Sequence, residues 1–485
     1  MHVALVLMKY NPYGGYERQA SLLADYLLEQ GMEVTVFSSS WPDHLQKNIQ
    51  FVRVPLIHGS AFLKVLSFAL FSQWRLLQFK KHIDCVIAFD RTFVIPDVYR
   101  AGNACHREWL EFRKKRAKFR DFLSLSLNLI NPVINFVESK MFAGIKKKEA
   151  CVVTLSSRGC AQIQRHFSLD SDLFRVIAPA IKNQNQIEAY RALKRTEFRN
   201  KFSLKSSDLV LLHVGSGFDI KGLDQTIAAL SLLPENLRRK TYLMVVGRNS
   251  KRLKYYKQLC ADHAVLDRVK FVGGVSNIED FYSMADIFVL PSLFETFCVS
   301  VLEALSYGLP VIIGEGAGIT DLLQIKEITH VIPVPANPKL ICDLIEKIYN
   351  EEVRVSSKSL LESRKVFSAA FEYQSVMGRW TNLIYEKCTT RYKQPKMSVI
   401  IGAYNNLDYL KLCLYSLERQ SFRDFEVIIA DDGSGPEVKQ WLSTYEPFYK
   451  LKHVWQEDDG FRKCRILNKS IQEARSEYLV FLIKK

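Results

Sequence analysis

The chain has 485 residues, 48% hydrophobic and 24% charged, with a net charge of +16. That length exceeds one ordinary core and predicts two or three domains, and the balance excludes a disordered or collagen-like chain. Its ten cysteines show no CxxC and no Cys/His cluster at zinc-ligand spacing, so they read as reduced core thiols in a reducing compartment.

Met1 to Met8 is a short apolar run with no basic region before it and leads straight into Lys9, which predicts a first strand and not a signal peptide. The strand ends in Asn11-Pro12-Tyr13-Gly14-Gly15-Tyr16-Glu17-Arg18, and a helix over Tyr16 to Gln30 follows, with Gly31 as its stop. Gly14 and Gly15 at such a turn let backbone N–H groups approach a phosphate or sugar oxygen, with the positive end of the helix behind them. A plain tight turn is the bland reading of the same pair. EVTVFSS and DCVIAFD continue the alternation of strands and helices, which implies right-handed crossovers and a parallel sheet. The apolar stretches Phe62 to Trp74 and Phe122 to Val137 are broken by Lys64, Gln73, Asn128, Asn131 and Pro132. Both fall short of the roughly 20 apolar residues that span a bilayer.

The positive charge is uneven. Arg107 to Arg120 (REWLEFRKKRAKFR) holds seven basic residues against Glu108 and Glu111, and Lys146, Lys147 and Lys148 follow. A solvated helix face is one reading; the interleaved Trp109, Phe112 and Phe119 favour a surface helix on anionic lipid over a nucleic-acid site.

A polar helical connection runs from Asn183 to Lys205, and a second cycle then opens at DLVLLHVGS and continues through TYLMVVG, VKFVGG, DIFVLPS and PVIIG. This predicts a second doubly wound sheet. DIFVLPS runs into Leu293-Phe294-Glu295-Thr296-Phe297-Cys298-Val299-Ser300-Val301-Leu302-Glu303-Ala304, with two carboxylates eight residues apart. A helix starting near Thr296 would leave Glu295 in the loop and Glu303 about two turns inside, so that the two reach different parts of one ligand. Ligand hydroxyls would supply the donors that buried carboxylates need; a helix cap and a surface Glu are the bland reading. After Arg391-Tyr392-Lys393-Gln394-Pro395 a third start appears: MSVIIGAYN, a helix from Leu407 to Gln420, and FEVIIADDGS. The domain limits expected from this pass are 1–182, 183–388 and 396–485.

GGYER, the stretch VGSGFDIKGLDQTIAALSLLPENLRRKTYLMVVG and the Glu-x7-Glu element followed by EALSYGLPVI together resemble the retaining glycosyltransferases of family 4, and within them the lipopolysaccharide core glucosyltransferase I group. The resemblance covers about residues 1–388. It implies an α/β GT-B fold of two Rossmann-like domains, a nucleotide sugar in the cleft, no cofactor or metal requirement, and a last helix near Phe371 to Lys387 that crosses back to the first domain. By position it implies that Glu303 binds the ribose hydroxyls and Glu295 the donor sugar. Phe297, Cys298 and Val299 would offer backbone N–H groups, and Lys221 would neutralise the diphosphate.

Two departures stand out. Relatives place an Arg near the Lys where this chain has Ser216 and Ile220, which leaves Arg248 as a substitute. Asn103 stands where close relatives carry Asp; Asn cannot act as a base but can position a substrate, and His106 nearby is either a site residue or a satisfied structural histidine.

From Lys396 the chain resembles the start of an inverting family 2 glycosyltransferase, a GT-A α/β fold. Tyr404 and Asn405, then Asp431 and Asp432, match its nucleoside-binding strand ends, and Asp458-Asp459-Gly460-Phe461-Arg462 through Asn468 matches the next. The Asp-x-Asp that would hold a divalent metal is expected after EYLVFL, where Ile483-Lys484-Lys485 stands instead, so this segment is expected to lack transfer activity of its own.

The reading as a whole is a hexosyltransferase, moving glucose from a UDP-linked donor to a lipopolysaccharide core or similar glycolipid. It would lie peripherally on the anionic cytoplasmic face of the inner membrane, without nucleic acid. A sugar-nucleotide epimerase of the same fold and a non-catalytic sugar-nucleotide-binding protein are the alternatives; a phosphorylase is disfavoured by the absence of a pyridoxal-binding lysine motif.

Overall fold

The computed structural model describes residues 1–11, 14–45, 48–79, 83–103, 105–116, 128–181, 184–248, 252–323, 328–351, 371–391, 395–460 and 462–482. Pro12, Tyr13, Phe119, Arg120, Phe122, Asn183, Tyr392, Lys393, Gln394, Phe461 and Ile483 to Lys485, named above, lie outside them. The chain divides into two compact units, Met1–Met377 and Gly378–Lys485.

The first unit holds two parallel sheets. In one, β1 (His2–Val6), β2 (Glu33–Ser38), β3 (Ile49–Arg53), β4 (Cys85–Ala88), β5 (Val98–Ala101), β6 (Cys151–Thr154) and β7 (Phe174–Val176) stand in the order β3-β2-β1-β4-β5-β6-β7. In the other, β8 (Leu209–Val214), β9 (Thr241–Val246), β10 (Val269–Gly273), β11 (Ile287–Leu290), β12 (Val311–Gly314) and β13 (Thr329–Ile332) stand in the order β10-β9-β8-β11-β12-β13. Both are the doubly wound arrangement expected from the near-continuous apolar strands, which parallel sheets covered on both faces require. In each, the strand order reverses beside the first strand, so the loops after β1 and β8 open at the crevice where ligands of such sheets bind.

The connection between the sheets is the helix Gln184–Lys201. Its Arg199, buried to 4% exposure, bonds the carbonyls of Met284, Lys205, Ser206 and Asp208 and reaches Asp286 at 2.6 Å, so each of its nitrogens has a partner. Residues 371–377 return to the first sheet. The Ile181 N–H donates to the Phe371 carbonyl at 2.9 Å, and the Tyr373 hydroxyl donates to the Leu22 carbonyl at 3.2 Å.

In the second unit β14 (Met397–Ala403), β15 (Phe425–Asp431), β16 (Lys450–Trp455) and β17 (Tyr478–Leu482) form a parallel sheet in the order β16-β15-β14-β17. Its apolar core gathers on Ile400, Ile428, Ala430 and Ile466. Among the described residues no helix of the protein is long and apolar enough to cross a membrane. The cysteines are free thiols, seven of them buried; Cys464 is the departure from the expected core placement, being exposed.

Candidate active site

The loops at the two switch points line one cleft of about 480 Å³. Gly14, Gly15, Glu17, Arg18 and Arg100 come from the first sheet's side, and Lys221, Arg248, Glu295, Phe297, Cys298, Val299 and Glu303 from the second. An adjoining cavity of about 350 Å³ is lined by Asn103 and His106 together with Lys221 and Glu295. Every site residue read from the first 388 residues of sequence therefore lies on these two connected hollows.

Lys221 and Glu295 form an ion pair, Nζ to Oε1, with side chains 13% and 23% exposed. Burial works to lower the Lys221 pKa, but the Glu295 carboxylate outweighs it and holds the ammonium above its ordinary value. The pair depends on close backbone approach on both sides. A Cβ on Gly215, whose φ is +143°, would lie 2.2 Å from Lys221 Cε; one on Gly318 would lie 2.0 Å from the Thr296 carbonyl oxygen. The loop carrying Glu295 is clamped to the loop after β12, because the Glu295 N–H donates to the Gly316 carbonyl and the Gly318 and Ile319 N–H groups donate to the carbonyls of Glu295 and Phe297.

The helix after this loop begins at Val299 rather than near Thr296, so Glu303 stands about one turn inside it, not two. Cys298 caps it at φ +87°, a left-handed conformation that a non-glycine residue keeps only where its surroundings impose it. Burial pushes the Cys298 thiol up to about 11, so it remains protonated and is no nucleophile at neutral pH. Burial also raises the Glu303 carboxyl, against the lowering effect of Arg18. Arg18 Nη2 lies 2.5 Å from Glu303 Oε1, and the Tyr282 hydroxyl donates to Oε2 at 2.8 Å. Neither residue was singled out from sequence, although Arg18 belongs to the GGYER stretch that was.

Arg248 is exposed on the cleft wall, and its N–H donates to the Ser216 hydroxyl at 3.2 Å, so the Ser that stands near the expected Arg position braces its substitute. Asn103 is exposed. His106 is buried and stacks on Trp109; its N–H donates to Glu138, which also takes the Arg91 guanidinium at 2.8 Å. Burial, with Arg91 acting in the same direction, lowers the His106 pKa, so the ring is neutral at pH 7, and its Nε2, without a hydrogen-bond partner among the described residues, can serve a ligand as donor or acceptor.

In the second unit a pocket of about 360 Å³ includes Tyr404 and Asp432. Asn405 and Asp431 brace its rim instead. Asn405 donates its N–H to Ser434 Oγ and accepts from the Gly435 N–H, both at 2.9 Å; Asp431 accepts from the Ser434 N–H and lies 2.8 Å from His453 Nε2. The fold family implies a divalent metal here, but the carboxylates present do not fit one. Asp432 is engaged by Gln456 and the Arg462 N–H, Asp458 by Tyr404 and Asp459 by Arg462.

Two family models match the chain: "Glycosyl transferases group 1" over residues 194–369 and "Glycosyl transferase family 2" over residues 398–482. The lipopolysaccharide glucosyltransferase WaaG of Escherichia coli K12 is 27% identical over 352 residues, covering 72% of this chain and 89% of that protein. The crystal structure of a WaaG superposes with a TM-score of 0.69 at 24% identity, covering 79% of this chain and 99% of that one. Anabaena Alr3699/HepE in complex with UDP-glucose superposes at 0.60 with 16% identity, covering 80% and 100%. For the second unit, validoxylamine A glucosyltransferase of Streptomyces hygroscopicus subsp. jinggangensis is 37% identical over 90 residues, covering 18% of this chain and 21% of that protein.

Proposed function

We propose, for a chain that is a glycosyltransferase with a group 1 domain of GT-B fold in its first unit and a family 2 domain in its second, that the first unit moves glucose from UDP-glucose, with retention, to a lipopolysaccharide core or similar glycolipid. The observation that carries this reading is the Lys221–Glu295 pair set between two helix starts in one cleft. Cleavage at the anomeric carbon leaves a nucleoside diphosphate with growing negative charge. Lys221 and the N–H groups at Phe297 to Val299 are fixed before that charge appears, which makes preorganised electrostatics the main catalytic resource. Glu295 accepts hydroxyls of the sugar and Glu303, oriented by Arg18 and Tyr282, accepts those of the ribose. Likeness to WaaG supports glucose and the glycolipid acceptor, and a neighbour that holds UDP-glucose supports the donor.

Because fixed protein charge faces the leaving group, transfer by the first unit needs no metal. The test is incubation of the full chain with labelled UDP-glucose and core glycolipid, with and without EDTA. Label should enter the glycolipid equally in both, and loss with EDTA would sink the metal-free mechanism. Conversion of the donor without an acceptor would turn the reading toward an epimerase, and binding without any turnover toward a non-catalytic protein.

We further infer peripheral attachment to an anionic membrane on the cytoplasmic side. Lys114, Lys115 and Arg116 are exposed on the helix His106–Arg116. Its aromatic rings point inward, however: Trp109 stacks on His106 and Phe112 meets Phe294 at 4.8 Å. Apolar insertion falls instead to the helix Ala61–Phe79, whose Leu70, Trp74 and Leu77 are 48%, 51% and 57% exposed at the spacing of one face. Each Lys or Arg at an anionic surface contributes about 1 kcal/mol, screened within about 10 Å at 0.1 M salt. Replacing Arg113, Lys114, Lys115 and Arg116 by Gln is expected to weaken binding to anionic liposomes and to leave neutral ones unaffected. Unchanged sedimentation with anionic liposomes would make this helix an ordinary solvated face.

A further inference from the structure

β5 is buried along its whole length, yet it carries a cation: Arg100 is 3% exposed. Arg199 shows what a structural arginine at equal depth looks like in this protein, with each nitrogen on a carbonyl or carboxylate. Arg100 has no such set. Its guanidinium lies 5.4 Å from the Phe89 ring, and Nη1 has no hydrogen-bond partner among the described residues. Burying a guanidinium without acceptors is costly, so an unfilled donor at a cleft points to a ligand that fills it.

The position agrees. Arg100 stands near the carboxyl end of its strand, where ligands of a doubly wound sheet bind, and it lines the cleft. A Cβ on Gly102 would lie 2.5 Å from Nη1, so the guanidinium runs directly beneath that backbone, whose carbonyl accepts the Thr296 hydroxyl from the opposite wall. No carboxylate among the described residues hydrogen-bonds it, although the Glu17 charge favours its protonated form. Asp90 is engaged by the Met8 N–H at 2.7 Å and the Tyr16 hydroxyl at 3.3 Å, and Glu17 Oε2 is itself buried without a partner among the described residues. Burial pushes the Glu17 carboxyl up to about 7, so near neutrality it is partly protonated and repels an anion less than an ordinary carboxylate does.

We propose that Arg100 is the ligand, on the first sheet's side of the cleft, for a phosphoryl group of a bound substrate. Guanidinium geometry matches phosphate oxygens in a way few other neutralising groups do. Two sources supply that chemistry, the diphosphate of the donor and a phosphate on the acceptor. The proposal rests on the transferase reading above and adds a contact to it that Lys221 and the helix starts do not make.

The experiment compares full-length wild type with Arg100→Gln, Arg100→Lys and Gly102→Ala. Each is titrated with UDP and with uridine, and is assayed for donor and acceptor KM. If the donor is the source, Arg100→Gln weakens UDP about 10- to 100-fold and leaves uridine unchanged, and Arg100→Lys, which restores the charge but not the fork, recovers only part of the loss. If the acceptor is the source, UDP binding holds, acceptor KM rises about tenfold with kcat little changed, and inorganic phosphate competes with the acceptor in wild type only. Gly102→Ala displaces the guanidinium without removing it and gives the same pattern more weakly, which decides the matter should Arg100→Gln fail to fold. UDP affinity and acceptor KM within twofold of wild type in folded Arg100→Gln would overturn the proposal. Wild type that binds neither UDP nor UDP-glucose would overturn the donor reading instead; inorganic phosphate raising the melting temperature of wild type but not of Arg100→Gln would still support the Arg100 site.

Discussion

Lys221→Ala and Glu295→Gln are each expected to cut transfer by about 10² or more, the loss that follows removal of one preorganised contact to developing charge, or about 2.7 kcal/mol. The two act on one ion pair, so the double variant should lose far less than the product of the single losses. Glu295→Gln has a further signature. Burial pulls the Lys221 pKa down and Glu295, with a smaller part from Cys298, lifts it above the ordinary value; with the carboxylate gone, most of what offsets burial is lost. Lys221 must be protonated to neutralise the diphosphate, so the high-pH limb of the rate profile should move to lower pH in Glu295→Gln. Steady-state kinetics across pH read both effects. Near-wild-type turnover in both single variants would mean that the chemistry lies elsewhere in the cleft.

What could be read without coordinates follows from the range of each interaction. The two doubly wound sheets were legible because alternation of apolar strands with helical segments is local, and the glycine turn and the Glu-x7-Glu element were legible because both are short. Lys221 could be named only through a resemblance, and nothing in the sequence shows that it touches Glu295, 74 residues away. Arg18 and Glu303 meet across 285 residues, and Tyr282 reaches Glu303 from a different helix, so neither partner carries a local signal. Arg100 did carry one: a lone cation in the apolar strand Val98–Ala101 is out of place unless it is needed. The inward turn of Phe112 toward Phe294 was not legible, because an aromatic between basic residues reads the same whether it faces lipid or a neighbouring loop. At the second unit's rim, Asn405 and Asp431 had the right residue types in the right order, but their polar atoms are engaged by Ser434, Gly435 and His453.

Gly215→Ala should lower kcat about tenfold or more while the first unit stays folded. Its Cβ would fall 2.2 Å from Lys221 Cε and 2.9 Å from Nζ, and of the two partners the flexible lysine is the one that moves. Displaced, the ammonium leaves both Glu295 and the place where the diphosphate charge develops, and a misplacement of about 1 Å is enough to cost a large factor in rate. The substitution also strains the backbone, since φ at this residue is +143°, at a cost of about 1–3 kcal/mol that appears as a lowered melting temperature. Gly217 separates the two effects. It too has a positive φ, +78°, but a Cβ there would meet nothing within 4 Å. Gly217→Ala therefore carries backbone strain without its new Cβ meeting the Lys221 side chain, although the Gly217 carbonyl accepts the Lys221 N–H at 3.3 Å, and should lower the melting temperature with less effect on kcat. Equal losses of kcat in the two variants would assign the effect to the loop backbone and remove Gly215 as the device that lets Lys221 lie where it does.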